Sequence, residues 1–470
     1  MARLRFYLLH GICLILLSGC VNYAGMKPSA KPFTAADLST HQTFKTPQNK
    51  LSSNGWWHQF HDRELNQLIT TALSDSPTMQ KAQSRVKRAQ QLAEKADASL
   101  WPTIDASGYV QRERFSEFGL VPPPFNGKTF NIGEVGLNFN YEFDFWGKNR
   151  ELLAARVSEQ CAAEADLAQA SLILSAAVAN TYFQLKNNNE QLRIAKQLLH
   201  KQQETLEIVQ DRAHHGIESD IPVSTAEANV ESAKLTVAQF EAAKKLSLNR
   251  LAVLIGKNPI ETEIEISTLT YRPHHIHLPA SLPANLLAER PDIRASRLRV
   301  EAAAHQIKVA KARFFPNINL NGLFSYQSVG LGHLFDPDSQ NNAITGAIDL
   351  PIFDAGARRA NLGIRNAEYD IAVSNYNQTI LRALREVADQ LALLHSVQSQ
   401  LRSQQAALHA SERKFKLTTS RYKHGIVDYT QVLTSKKQLL QQQAIQTELQ
   451  MRYLQAFATL IKALGGYNQA

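Results

Sequence analysis

Cysteine is nearly missing from this chain: Cys13, Cys20 and Cys161 are the only three in 470 residues. The first two belong to the N-terminal segment discussed below, so Cys161 stands alone and no intramolecular disulfide can be built. Glycine and proline are missing over long distances, from 149 to 215, 223 to 255, 364 to 424 and 426 to 464. These stretches are rich in Ala, Leu, Gln, Glu and Lys and predict long helices, the first about 100 Å at ~1.5 Å per residue. Beyond residue 20 there is no run of about 18 apolar residues, so no helix is expected to span a bilayer and membrane insertion would have to use strands. Catalytic signatures are missing too: there is no phosphate loop, no Gly-x-Ser-x-Gly elbow and no His-Glu-x-x-His. The chain is expected not to be an enzyme and to need no cofactor. His274, His275 and His277 form the densest histidine group, but no cysteine or carboxylate stands beside them in their Pro-flanked loop, and no metal site is expected.

Lys and Arg exceed Asp and Glu by 51 to 42, a formal charge of +9. The bases are scattered among Glu and Gln along the helical stretches, which reads as a solvated surface. With no basic and aromatic cluster, nucleic acid is not an expected partner.

What is present begins at the N-terminus. Arg3 and Arg5 precede the apolar stretch Phe6 to Leu17, and Leu17-Ser18-Gly19-Cys20 follows. This is a secretory signal ending in a bacterial lipobox, with cleavage expected before Cys20 and a lipid on its thiol. Val21 stands where an Asp is absent, as in lipoproteins sent to the outer membrane. One acyl attachment tethers weakly, so stable residence would need further membrane contact.

The body of the chain contains itself twice. Pro77 answers to Pro291, Pro102 to Pro316 and Asp144 to Asp354. Arg212-Ala213-His214-His215-Gly216-Ile217 recurs as Arg421-Tyr422-Lys423-His424-Gly425-Ile426, and Leu254-Ile255-Gly256 as Ala463-Leu464-Gly465. Each copy is one large unit, far longer than a solenoid repeat. Leu192, Ala195, Leu199, Gln202, Leu206 and Val209 alternate by three and four, as do Leu394, Val397, Leu401, Gln404, Leu408, Ser411 and Phe415. Such a seam packs helices side by side. On the helices alone, an elongated rod without a channel fits as well.

Strand-like segments lie between the shorter helix Thr78 to Leu100 and the long one. Val135, Leu137, Phe139, Tyr141, Phe143 and Phe145 share one face, and Glu134, Gly136, Asn138, Asn140, Glu142 and Asp144 share the other. The second copy repeats the alternation at Ile318, Leu320, Gly322, Phe324 and Tyr326, then at Ile344, Gly346, Ile348, Leu350 and Ile352. A half-buried sheet in a soluble protein alternates in the same way. In an exported, lipidated chain the pattern suits a membrane strand of about 9–11 residues, and four strands are too few to close a barrel alone.

The combination resembles the TolC-like outer-membrane factors, and specifically their lipoprotein branch of OprM, CusC, MdtP and NodT types. The segments that carry it are Leu287-Ala288-Glu289-Arg290-Pro291-Asp292-Ile293, Ala312-Arg313-Phe314-Phe315-Pro316, Leu350-Pro351-Ile352-Phe353-Asp354-Ala355-Gly356, and Trp56-Trp57 with Phe60. The resemblance implies an α+β membrane protein. Four antiparallel strands per chain would build the shared β-barrel of a homotrimer, and long helices its periplasmic α-barrel. The organisation would be a signal peptide at 1–19, a lipidated extended segment at 20–76, repeats at 77–256 and 291–465, an equatorial linker at 257–290 and a tail at 466–470. The implied role is the outer-membrane channel of a tripartite efflux system, a passive duct for drugs or other small molecules. Its partners would be a periplasmic adaptor of the membrane fusion type, an inner-membrane RND, MFS or ABC pump, and outer-membrane lipid. A type I protein-secretion channel and a non-channel, periplasm-spanning structural lipoprotein are the alternatives.

Two helix-to-helix turns are the expected adaptor contacts, marked by Arg212 and Gly216 in the first copy and Arg421 and Gly425 in the second. Family members carry acidic and tyrosine contacts shortly after this motif, commonly with an Asp-Val pair. Here Pro222-Val223 and Gln431-Val432 occupy those columns. Asp220, Asp428 and Tyr429 lie close by as a candidate periplasmic gate, a cation-favouring ring under three-fold symmetry. Equally, Asp220 and Asp428 suit the N-terminal caps of the returning helices.

Overall fold

A computed structural model describes residues 23–34, 55–261 and 290–466. Cys20 and the histidines at 274, 275 and 277 lie outside the described residues. After a 3₁₀ turn at Trp56–Phe60, the elements are α1 (Arg63–Asp75), α2 (Pro77–Ala98), β1 (Thr103–Arg114), β2 (Thr129–Phe143), α3 (Lys148–His214) and α4 (Asp220–Leu254). There follow α5 (Pro291–Ala312), β3 (Asn317–Val329), β4 (Gln340–Asp349), α6 (Ala357–Lys423) and α7 (Tyr429–Ala463). The repeat holds element by element: α2 and α5 have 22 residues each, α3 and α6 have 67, and α4 and α7 have 35.

The paired landmarks are the starts and stops of these helices. Pro77 and Pro291 open α2 and α5, where a first-turn N–H would have no intrahelical partner anyway. From just ahead of α3, Asp144 accepts from the backbone N–H of Asn149 and Arg150 (3.1 and 2.9 Å) in its first turn. Asp354 accepts from Gly356 and Arg358 (3.0 and 3.1 Å) at α6. The last residues of α3 and α6 are closed by Gly216 and Gly425, both at φ 71°. In each turn the glycine N–H donates to the carbonyl three residues back, and the following isoleucine N–H to the carbonyl five back, all at 2.9 Å. This left-handed cap satisfies the last carbonyls of each helix and turns the chain back.

Several expected boundaries move. The fourth strand stops at Asp349, short of Leu350 and Ile352, because Pro351 has no N–H for a ladder. The second stops at Phe143, and Phe145 lies beyond it. Helix α6 begins at Ala357 and runs through Gly363, which was expected to precede the helix. One glycine in a helix costs only about 1 kcal/mol, and the Asp354 cap already fixes the start. The expectation that nothing beyond the signal is long and apolar enough to cross a membrane also needs amendment. Helix α3 holds an 18-residue stretch of mean hydropathy 1.3. This helix contributes Leu172, Leu174, Val178, Tyr182, Phe183 and Leu185 to a buried core, and a core helix has the same composition.

The chain packs as two units, one built around the sheet (described residues 23–32, 86–163 and 295–376) and one helical (the rest). In the helical unit, Trp56 is fully buried and its indole N–H donates to Ser175 Oγ at 3.0 Å. Phe60 meets Phe183 and Phe457 edge-on, so the N-terminal aromatics are core residues. Arg290, 2% exposed, donates to both oxygens of Asp292, to Glu386 and to the Ala463 carbonyl (2.7–3.1 Å). A buried guanidinium is tolerable only with such complete pairing. The residues at the three-and-four spacing of α3 and α6 are all buried or half-buried, as their periodicity predicts.

Candidate functional site

The sheet is antiparallel in the order β1-β2-β3-β4, so β1 and β4 are edges with no partner strand among the described residues. Its register aligns the alternation across all four strands. Ile104 faces Phe139, Phe139 faces Gly322, and Gly322 faces Ile344. Leu137 pairs with Ala106 and Phe324, and Ile318 with Phe143 and Ile348. Rows of apolar side chains therefore cross one face. Leu331 and Leu334 of the β3–β4 connection approach it at Gly133, but among the described residues much of it stands open: Ile344 and Ile348 are 74% and 71% exposed.

The opposite face is polar in the same rows. Thr103, Asn140, Asn321 and Thr345 form one row, and Asp105 and Asn138 belong to the next. Asn138 Nδ2 donates to Ser107 Oγ (2.8 Å), and Glu134 accepts from the Tyr109 hydroxyl (2.9 Å) and Gln327 Nε2 (3.2 Å). An apolar face opposite a polar one calls for an apolar surrounding on one side and water on the other, and open edges can accept further strands.

The helix-to-helix turns lie in the helical unit. Arg212 pairs with Glu218 of its own turn (3.1 Å) and approaches Asp428 of the other copy's turn at 3.9 Å. Tyr429 packs its ring against Tyr422 at 5.2 Å, and its hydroxyl lies 3.4 Å from Glu204 on α3. Asp428 is the N-cap of α7, accepting from the Gln431 N–H at 3.0 Å. Asp220 is not a cap: it is the first residue of α4, and Ser219 stands at the cap position with no side-chain cap bond. Gly216, Gly425, Arg421 and Asp220 are exposed. Thus Arg212, Asp428 and Tyr429 come together, while Arg421 and Asp220 do not join them. Glu204 and Glu218 were missed from the sequence, since no local spacing singles out one glutamate among many on a solvated helix.

Residues 23–32 are fastened to the sheet unit. Tyr23 meets Phe314 edge-on at 5.2 Å, beside the entry to β3. Asp370 on α6 accepts from the backbone N–H of Ala30 (2.8 Å), the Ser29 hydroxyl (2.8 Å) and the Ser29 N–H (3.0 Å). These bonds from Ala30 and Ser29 hold its carboxyl below the ordinary range.

A duplicated chain of long helix pairs that carries an open-edged, two-faced antiparallel sheet defines a TolC-like outer-membrane channel subunit. The chain belongs to the outer membrane efflux protein family, whose model matches residues 68–257 and 282–466. It is 28% identical over 468 residues to the multidrug resistance outer membrane protein MdtQ of Escherichia coli O157:H7, with 96% of each chain covered. Among solved structures it is similar to the outer membrane protein VceC of Vibrio cholerae, at 34% identity and a TM-score of 0.78 over 89% of this chain and 100% of that one. It is likewise similar to the Neisseria gonorrhoeae MtrE outer membrane channel in its open state, at 26% identity and a TM-score of 0.78 over 94% and 98%. Members of this family are efflux proteins of the outer membrane.

Proposed function

We propose that three copies of this chain close one twelve-stranded barrel and act as the passive outer-membrane duct of a tripartite small-molecule efflux system. The observation that carries this reading is the register: aligned apolar and polar rows with two unpaired edges. A closed membrane barrel needs about eight strands or more, so four must be shared. Pump and adaptor supply the energy and the connection to the inner membrane, an RND, MFS or ABC transporter serving as the pump. The turns at Arg212–Gly216 and Arg421–Gly425 touch the adaptor. Asp220, Asp428 and Tyr429 form the periplasmic gate, supported by the Arg212 to Asp428 approach that links the two turns.

Cys20 carries the lipid anchor. It stands three residues before Tyr23, a reach of at most about 11 Å at ~3.6 Å per residue. Tyr23 packs on Phe314, just before β3 begins, which is where a lipid would meet the membrane edge of the sheet. Single-channel recording of the purified protein in a planar bilayer tests the duct. Discrete ion-conducting steps from a trimer are expected. A structural spacer would give no current, and that result would sink the reading.

A further inference from the structure

The charges of the sheet are completely sorted between its faces. Asp105, Glu113, Glu134, Glu142 and Asp349 are all the carboxylates in β1 to β4, and by register every one lies on the polar face. Arg112 and Arg114 are the only bases in the four strands, and both lie on the apolar face, continuing the row of Ile104, Ala106, Gly108 and Val110. They are exposed and form no ion pair among the described residues. Bases where the strands join the helices behave otherwise: Lys148 pairs with Glu142, Arg150 with Asp144 and Arg358 with Asp354. Two unpaired arginines on a face otherwise suited to hydrocarbon require an explanation.

Their place supplies one. They are the last same-face residues of β1 before the loop to β2, about 7 Å apart at ~3.4 Å per residue. Their partners across the ladder are Asn131 and Thr129, so the face turns from apolar to hydrogen-bonding at this level. An arginine on the lipid face of a barrel is costly near the bilayer midplane and costs almost nothing at the interface. There the lipid headgroups are its nearest partners. Two adjacent guanidinium forks match phosphate oxygens, which they bind through paired charge-assisted hydrogen bonds. Chain carboxylates are kept on the other face, where they do not compete.

We propose that Arg112 and Arg114 form a phosphate-binding rim that holds the phosphorylated glycolipid of the outer leaflet, the lipid A headgroup, against each protomer. This rests on the proposed barrel with the β1–β2 loop outermost. Native mass spectrometry of detergent-purified trimers, titrated with bis-phosphorylated lipid A, tests it against two controls, dephosphorylated lipid A and phosphatidylglycerol. The wild type should retain bis-phosphorylated lipid A in preference to both controls. Arg112→Gln with Arg114→Gln should weaken that retention by roughly tenfold or more, as expected for losing charge-assisted bonds. Arg112→Lys with Arg114→Lys should recover part of it. Equal retention by the Gln variant overturns the rim, and equal retention of phosphatidylglycerol by the wild type overturns lipid A as its occupant. The barrel reading fails separately, by loss of single-channel current in the wild type.

Discussion

Asp428 and Asp220 look alike in sequence, each following a glycine turn by three or four residues, but they hold different positions. Asp428 caps α7 through the Gln431 N–H and lies within 3.9 Å of Arg212, whereas Asp220 caps nothing. Removing an aspartate N-cap costs about 1 kcal/mol. Asp428→Ala should therefore lower the temperature at which the trimer comes apart, and Asp220→Ala should leave it nearly unchanged. If both act in the gate, each variant should also alter conductance or cation selectivity in single-channel recordings. Unaltered currents in both, with only the Asp428 variant less stable, would leave a cap and no gate at these two positions.

At the scale of elements, β2 and β3 approach so closely at Gly136 that its place in the register tolerates no side chain. A Cβ there would lie 2.4 Å from Ser325 Cβ and 2.9 Å from the Phe324 carbonyl oxygen. Gly136→Val should force the central pair of strands apart and abolish assembled trimer on semi-native gels. Gly346→Ala, where an added Cβ meets nothing within 4 Å, should assemble normally. Normal assembly of the Val variant would show that the ladder is not as close as described. Much of this sheet was legible beforehand because period-two alternation is a local property: Val135 to Phe143 and Ile318 to Tyr326 state which face each residue takes. The helix seam at Leu192 to Val209 was legible for the same reason at a period near 3.5. What was illegible depends on distant partners. Arg290 reads as a surface residue until Glu386 and the Ala463 carbonyl close around it, and Tyr429 gives no sign of Glu204. Boundaries drifted where one residue overruled a pattern, as Pro351 does at the end of β4.

For the whole molecule, two anchors are proposed, and their strengths differ. A lipid on Cys20 would hold in proportion to the chain it buries, at about 0.8 kcal/mol for each buried CH₂. The sheet presents apolar rows from Ile104 to Val110, Val135 to Phe143, Ile318 to Phe324 and Ile344 to Ile348, and closure of three sheets would multiply that area threefold. Strands inserted in this way cannot unpair without leaving backbone groups unsatisfied in hydrocarbon, and cannot leave without exposing these apolar rows to water. The barrel should thus dominate. Cys20→Ala, exported through a non-lipoprotein signal, should still be recovered as trimer in the outer membrane. A peptide tag inserted near Asn126, in the β1–β2 loop, should then be stained on intact cells carrying either form. The wild type should have lost residues 1–19 and gained lipid mass on Cys20 by intact-mass analysis, whereas the variant should carry none. Recovery of the variant as a soluble periplasmic chain would instead make the lipid the principal anchor. A tag stained only after permeabilisation would reverse the orientation assigned to the sheet.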